Sequence, residues 1–494
     1  MKQEDVATLK RKRACHNCIG EPYLKDQINT RGKARKCFYC KKVASSASLE
    51  DLAHFVSTAF EHHYYRTSDQ PSGFQWSMMR DEESTYDWER DGEPVVDVIA
   101  NSAEISDQLA ADIQMILEDE FYSMDSAQIG EETEFDADSY YERKSANGYL
   151  WHSEWREFER SLKTQTRYFS QTAAAHLTAL FDGIESMPTK GGRPIIIDAG
   201  PETGLTHFYR ARVFQSDERL EQAIQRPDRE IGPPPPALAG SGRMNARGIS
   251  VFYGATTPET ALAEVRPPVG SKVVVARFDL LRSMRLLDLR VLPDIEVTGS
   301  IFDPSLAPRQ ERAVLLRTLK SIITVPVMPD DEGLEYIVTQ AIADFLATQE
   351  RPSIDGIVFP SVQVADQSTN VVLFHKSSRI KDLGLPRGSK LSSNSLTTDE
   401  ERSYYDYTVY ETVPKSPAKT AQKEAGPPSI FDIWDRGEDT EPRTESLKID
   451  IDSVEVRIIG SVSFTTENHK VKRHRSESEE LAKKLKAEEE DLPF

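Results

Sequence analysis

Residues 232–268, GPPPPALAGSGRMNARGISVFYGATTPETALAEVRP, place Arg243, Asn245, Tyr253 and Glu264 within a short reach of one another. Arg210 in FYRAR, next to Tyr209, and Ser361 after GIVFP extend the set of side chains that could share one site. Arginine suits a diphosphate, because its planar fork meets phosphate oxygens in pairs. A tyrosine ring can pack on a planar base, and a lone glutamate can stabilise a developing cation. Most glycosidases use a second carboxyl group as a general acid, and this set has none. The omission fits a leaving group that needs no proton, as when nicotinamide departs from NAD+ as a neutral base. Each residue also has a plainer reading: Glu264 on a helix surface, Tyr253 in a core, Arg210 as half of an ion pair.

The elements around these residues are legible. Four prolines at 233–236 fix the path into the GRMN turn. ISVFY reads as an apolar strand ending at Tyr253, and Thr257 reads as the N-cap of a helix with Pro258 in its first turn. Glu264 then falls one to two turns in, beside the strand end. Arg210 and Arg212 both lie in FYRAR and compete for one role. From Gly191 onward β-branched runs alternate with helical patterns, as in an α+β domain. GGRPIIIDAG, THFYRARVF, SKVVVARFDLLRSMRLLDL, IDGIVFPSV and NVVLFHK read as strands, and GLEYIVTQAIADFLAT as an amphipathic helix.

The start of the chain holds a different chemistry. Its four cysteines, Cys15, Cys18, Cys37 and Cys40, form two C-x2-C pairs separated by 18 residues, and none is left over. That spacing matches a zinc ribbon, in which two knuckles supply four thiolates to a closed structural Zn2+. Paired disulfides are the alternative, disfavoured in a cytosolic chain. From Leu49 to Ile184 the pattern is helical, with Trp151, Trp155, Phe158, Leu162, Phe169, Ala173, Leu177 and Leu180 on one stripe. His62 and His63 are adjacent, so a helix points them apart and they do not form a metal pair.

The 494 residues suggest two to four domains. The boundaries read as a zinc ribbon at 1–48, a helical domain at 49–185, the α+β domain at 190–385, a linker at 386–440, strands at 441–467 and a charged tail at 468–494. A net charge of −20 argues against nucleic-acid binding by the body of the protein. KRKR at 10–13 and RGKARK at 31–36 are the local exception, and a solvated surface accounts for such runs. No apolar run is long enough for a membrane span, and the start lacks a signal-peptide core, so a cytoplasmic protein is expected.

FYRAR, GRMNARGISVFYGATTPETALAEVRP, DGIVFPSV and NVVLF, in that order, closely resemble the RES domain, named for arginine, glutamate and serine. The likeness spans about residues 194–382. It implies a fold related to ADP-ribosyltransferases of the diphtheria-toxin type and an NAD+-degrading activity known from bacterial toxins that are held by antitoxin partners. It also implies roles: Arg210, Glu264 and Ser361 as the naming residues, with Arg243 and Tyr253 beside them. Arg210 and Arg243 would clamp the diphosphate, Tyr253 would pack on nicotinamide, Glu264 would bind the adjoining ribose, and Ser361 would bond ribose or phosphate. Water, inorganic phosphate or a protein side chain could accept the ADP-ribosyl group. Met244 departs from the tryptophan of the shorter toxins. The upstream part resembles the HEPN-type domain that precedes RES domains in longer relatives, but Arg167 and His176 lie too far apart for the HEPN ribonuclease signature. The rival reading is a zinc-containing interaction or nucleic-acid-binding protein with an inactive RES domain.

Overall fold

Alternation of buried and half-buried residues makes His207–Phe214 and Lys272–Leu280 two-sided strands, paired antiparallel from Lys272 against Phe214 to Asp279 against His207. They belong to an eight-stranded sheet in the computed structural model, which describes residues 3–81, 84–145, 149–328, 330–361, 363, 368–398, 403–414, 441–463 and 466–473. Across the sheet the order is Leu447–Ile458, Lys272–Leu280, His207–Phe214, Phe252–Ala255, Thr369–Leu373, Gly356–Pro360, Met284–Asp288 and Ile196–Ala199. Met284–Asp288 pairs parallel to Gly356–Pro360, and the other neighbours pair antiparallel.

The period of two sorts the side chains into two cores. Leu287, Ile357 and Val372 face the helices Tyr149–Thr164, Gln171–Phe181, Leu306–Thr324 and Glu332–Thr348. Their neighbours Leu286, Val358 and Val371 face the other way, into a core with Phe208, Phe252, Phe278 and Leu447.

The helical segment 49–185 does not form one unit. Its first part, Leu49–His63, Val95–Ala103 and Asp107–Phe121, shares a core with Val6, Leu9, Ile19 and Leu24 from the cysteine-bearing start. Three short strands, Arg13–Cys15, Val43–Ser48 and Lys33–Lys36, are too small to bury a core alone, so they lean on these helices. Asp112 holds the two together, accepting from Tyr39 at 2.7 Å and from Lys12 at 3.1 Å. The second part, Tyr149–Thr164 and Gln171–Phe181, instead buries Trp155, Phe158, Leu162, Leu177 and Leu180 against the sheet's helices. Phe169 was expected on that stripe but is 91% exposed, because the chain breaks between the two helices at 165–170.

The polar stretch read as linker carries an antiparallel hairpin, Lys390–Thr398 with Ser403–Thr412, which docks on the helix Asp217–Gln225 through Gln225 to Ser393 and Ser395 to Glu221, each at 2.8 Å. The remainder of that reading, 415–440, lies outside the described residues, as does most of the charged tail, 474–494. The expected pair of strands near 441–467 is one long strand, Leu447–Ile458, that adds to the sheet edge. No described helix is long and apolar enough to cross a membrane.

Phe302 inserts into the N-terminal core, and a cleft nearby is lined by His63, Arg143, Lys144, Val297 and Arg317. His62 and His63 diverge as expected, with His63 buried and His62 exposed. Burial, reinforced by the cations Arg143, His62 and Lys144, lowers His63 to about 4. Between that value and the ordinary one near 6.5 the unfolded chain binds the extra proton, so stability falls as pH drops through this window. We expect a loss on the order of 1 kcal/mol between pH 7 and pH 4.5 that His63→Gln abolishes, read by urea unfolding followed in the N-terminal region.

Candidate active site

The helix Pro258–Glu264 starts where the sequence places it. The Thr257 hydroxyl accepts from the Thr260 amide at 3.2 Å, and Pro258 occupies the first turn. This helix lies over Ala211, Val273 and Val275 of the sheet and ends at Glu264. Beside it His207–Phe214 and Phe252–Ala255 share a single pairing, Tyr209 with Ala255. The next facing residues, Arg210 and Gly254, are not paired with each other, and both line a cavity of about 310 Å3 at the gap. Gly254 has to be glycine, since a Cβ there would stand 2.6 Å from the Phe252 ring and 3.0 Å from the Tyr209 carbonyl.

Arg210, Arg243 and Arg266 supply three guanidinium groups to the cavity lining, against the single carboxylate of Glu264. Arg243 donates to the carbonyls of Ile323 and Val325, at 2.7 and 2.8 Å, and lies over the Tyr336 ring at 5.0 Å. Those carbonyls close the helix Leu306–Thr324, so they orient the fork without neutralising its charge. Arg266 adopts a left-handed φ of 43°, a strained conformation for a non-glycine residue of the kind that gathers at functional sites.

Arg210 is the most exceptional of the three. Protein surrounds it, and the surface it retains belongs to the cavity lining. Its Nη1 is buried with no hydrogen-bond partner, and the guanidinium lies over the Phe252 ring at 5.4 Å. Burial, with Arg212 adding repulsion, lowers its pKa from 12.5 to about 10. Arg212, its rival in the sequence, points to the surface and pairs with Glu230 at 3.4 Å.

Glu264 is held by two donors on one oxygen. Ser361 Oγ donates to Oε1 at 2.6 Å and Asn370 Nδ2 donates to the same atom at 2.7 Å. The Gln363 amide in turn donates to Ser361 Oγ at 3.1 Å. Ser361 therefore spends its proton on Glu264, which it positions, and it is not among the cavity-lining residues.

Two other expected ligand contacts move behind the cavity wall. Asn245 is buried and spends its amide on the carbonyls of Gly240 and Ile249, at 2.8 and 2.9 Å, while its Oδ1 accepts from Tyr253 at 2.9 Å. It braces the GRMN turn and does not line the cavity. Tyr209 packs under the Glu264 helix, as strand alternation dictates for the neighbour of Arg210. Tyr253 does line the cavity, yet its hydroxyl is committed, accepting from the Met244 amide at 2.9 Å, and burial raises its pKa. A Cβ at Gly242 would meet Asn245 Oδ1 at 2.6 Å and the Tyr253 hydroxyl at 2.8 Å, so this brace requires glycine. Met244 is core, 1% exposed, and takes no part in the cavity. Asn370, Arg266, Tyr336 and Phe359 are cavity residues that spacing alone did not single out. NVVLF carried the asparagine in plain sight, but a strand's first polar residue gives no sign of which element will cross it.

The four cysteine sulfurs lie within 4.8 Å of one another, with Cys15–Cys18, Cys15–Cys40 and Cys18–Cys37 at 3.8, 3.5 and 3.7 Å. Tetrahedral thiolates about 2.3 Å from one ion stand about 3.8 Å apart. The donor set thus fits a closed four-sulfur metal site.

Residues 208–386 match the family model of the RES domain, and residues 30–176 match that of HEPN/RES N-terminal domain 1. No curated protein matches the chain. The chain is a RES-domain protein with an N-terminal HEPN/RES-type domain. The RES match omits both edge strands of the sheet, Ile196–Ala199 and Leu447–Ile458, and the N-terminal match begins between the two cysteine pairs.

Proposed function

We propose that this protein binds NAD+ in the cavity and cleaves the bond between nicotinamide and its ribose. The observation that carries the reading is Arg210: a buried guanidinium with an unpartnered donor, set in a lining with two more arginines and one carboxylate. An isolated buried charge is costly, and a dianionic diphosphate is the ligand that would offset it. Arg210 and Arg243 would hold the diphosphate, and Tyr253, Tyr336 and Phe359 would supply the ring contacts for nicotinamide. Glu264 would then face the ribose. As the C1′–N bond breaks, its electron pair moves into the pyridinium ring, so nicotinamide leaves neutral, and the Glu264 carboxylate stabilises the positive charge left on the sugar.

Addition of water at C1′ gives ADP-ribose and one proton; addition of inorganic phosphate gives ADP-ribose 1″-phosphate. Family resemblance favours these two acceptors over a protein side chain and supports a toxin held by an antitoxin as the setting of the activity. The same resemblance supports a fold related to the ADP-ribosyltransferases. The test is NAD+ consumption by the purified chain with and without phosphate, with products resolved by chromatography. Consumption with either product supports the reading; intact NAD+ and no binding by folded protein would end it.

The cysteine cluster we assign to one structural zinc, supported by the sulfur spacing. Cys37→Ser should lower bound zinc from about one per chain to none and cost the N-terminal core several kcal/mol, on the order expected for lost structural metal. Metal analysis with thermal unfolding checks this; full stability without metal would refute it.

A further inference from the structure

Asn370 is 4% exposed, lines the cavity, and has its two polar atoms in opposite situations. Nδ2 donates to Glu264 Oε1 at 2.7 Å, which fixes the amide's orientation because a carboxylate only accepts. Oδ1 is therefore left as an acceptor, and it is buried without a partner. On Glu264, Oε1 already receives both Asn370 and Ser361, so Oε2 is the oxygen left for a ligand. The bond between the two side chains ties the Asn370 amide to the Glu264 carboxylate at the cavity.

Resting on the NAD+ reading, we propose that Asn370 is a ligand-reading residue. Its Oδ1 and Glu264 Oε2 together accept the two adjacent hydroxyl protons of the nicotinamide ribose, so the site selects a cis-diol sugar. A buried acceptor left unpaired rejects an analogue that lacks the matching hydroxyl, whereas an apolar pocket barely notices the loss. The requirement also excludes dinucleotides whose nicotinamide ribose is substituted at either hydroxyl. Arg290 supports the arrangement from behind: it donates to Thr369 Oγ1 at 2.8 Å and pairs with Asp288 at 2.7 Å, which steadies the strand that carries Asn370.

The test compares NAD+ with its 2′-deoxy and 3′-deoxy analogues on the nicotinamide ribose, in the wild type and in Asn370→Leu. The wild type should lose about 10- to 100-fold in kcat/KM with each analogue. In Asn370→Leu one penalty should vanish while the other, read by Glu264, remains. Retention of both penalties, or loss of both together, would overturn the proposal, the latter showing that Asn370 only positions Glu264. Asn370→Asp guards against a folding failure: it keeps Oδ1 but sets a carboxylate against Glu264, so its activity relative to wild type should climb as pH falls and the new acid can donate. A flat ratio would count against the proposal. Wild-type protein that neither binds nor consumes NAD+ overturns the parent reading as well; wild-type turnover with no diol discrimination overturns this inference alone.

Discussion

Glu264→Gln should lower NAD+ turnover by about a thousandfold, the scale seen when one preorganised electrostatic group is removed from a reacting centre. The substitution keeps size and shape but removes the negative charge from the side of the cavity where the sugar cation would form. KM should change little if, as proposed, Arg210 and Arg243 hold the diphosphate. Folding should be preserved, because glutamine can still accept from Ser361 and Asn370 through its carbonyl oxygen. Steady-state kinetics on protein with an unchanged melting temperature checks the effect. A variant within tenfold of wild type would remove Glu264 from the chemistry.

Arg210→Met should weaken binding and stabilise the free protein at the same time. Its folded pKa, about 10, lies below the ordinary value of 12.5, so the folded chain binds fewer protons than the unfolded chain between those values. Stability then falls as pH drops through that window, and at neutral pH the whole penalty is present. We put it at roughly 2 kcal/mol after allowing for water in the cavity. Methionine fills much of the same space without the charge, so the ligand-free melting temperature should rise by several degrees. Loss of the charge-assisted contacts should raise KM for NAD+ about a hundredfold, and ligand-induced thermal stabilisation should disappear. A variant that is less stable and still binds NAD+ would show Arg210 to be a structural residue.

A buried guanidinium with an unpartnered donor in a cavity lining has a functional signature, and so does the strained backbone of Arg266. Both sit where two strands part, at one pairing between Tyr209 and Ala255. A closed ladder there would fill the gap and leave no space for a ligand.

The one-dimensional pattern was sufficient wherever the determinant is local. The N-cap at Thr257, the start at Pro258, the two-sided strands and the cysteine spacing follow from capping, φ restriction, side-chain period and ligand geometry. The arginine, glutamate and serine were singled out differently, through the resemblance of the runs that carry them to the RES domain. Tertiary structure decided what depends on partners distant in the chain. It gave Ser361 and Asn245 their partners, since their polar atoms meet Glu264, Tyr253 and backbone carbonyls. It brought in Asn370, 106 residues from Glu264, by pairing Thr369–Leu373 with Phe252–Ala255. It also divided the helical segment between two cores, since an amphipathic stripe states that a face must be buried and leaves open which surface will cover it.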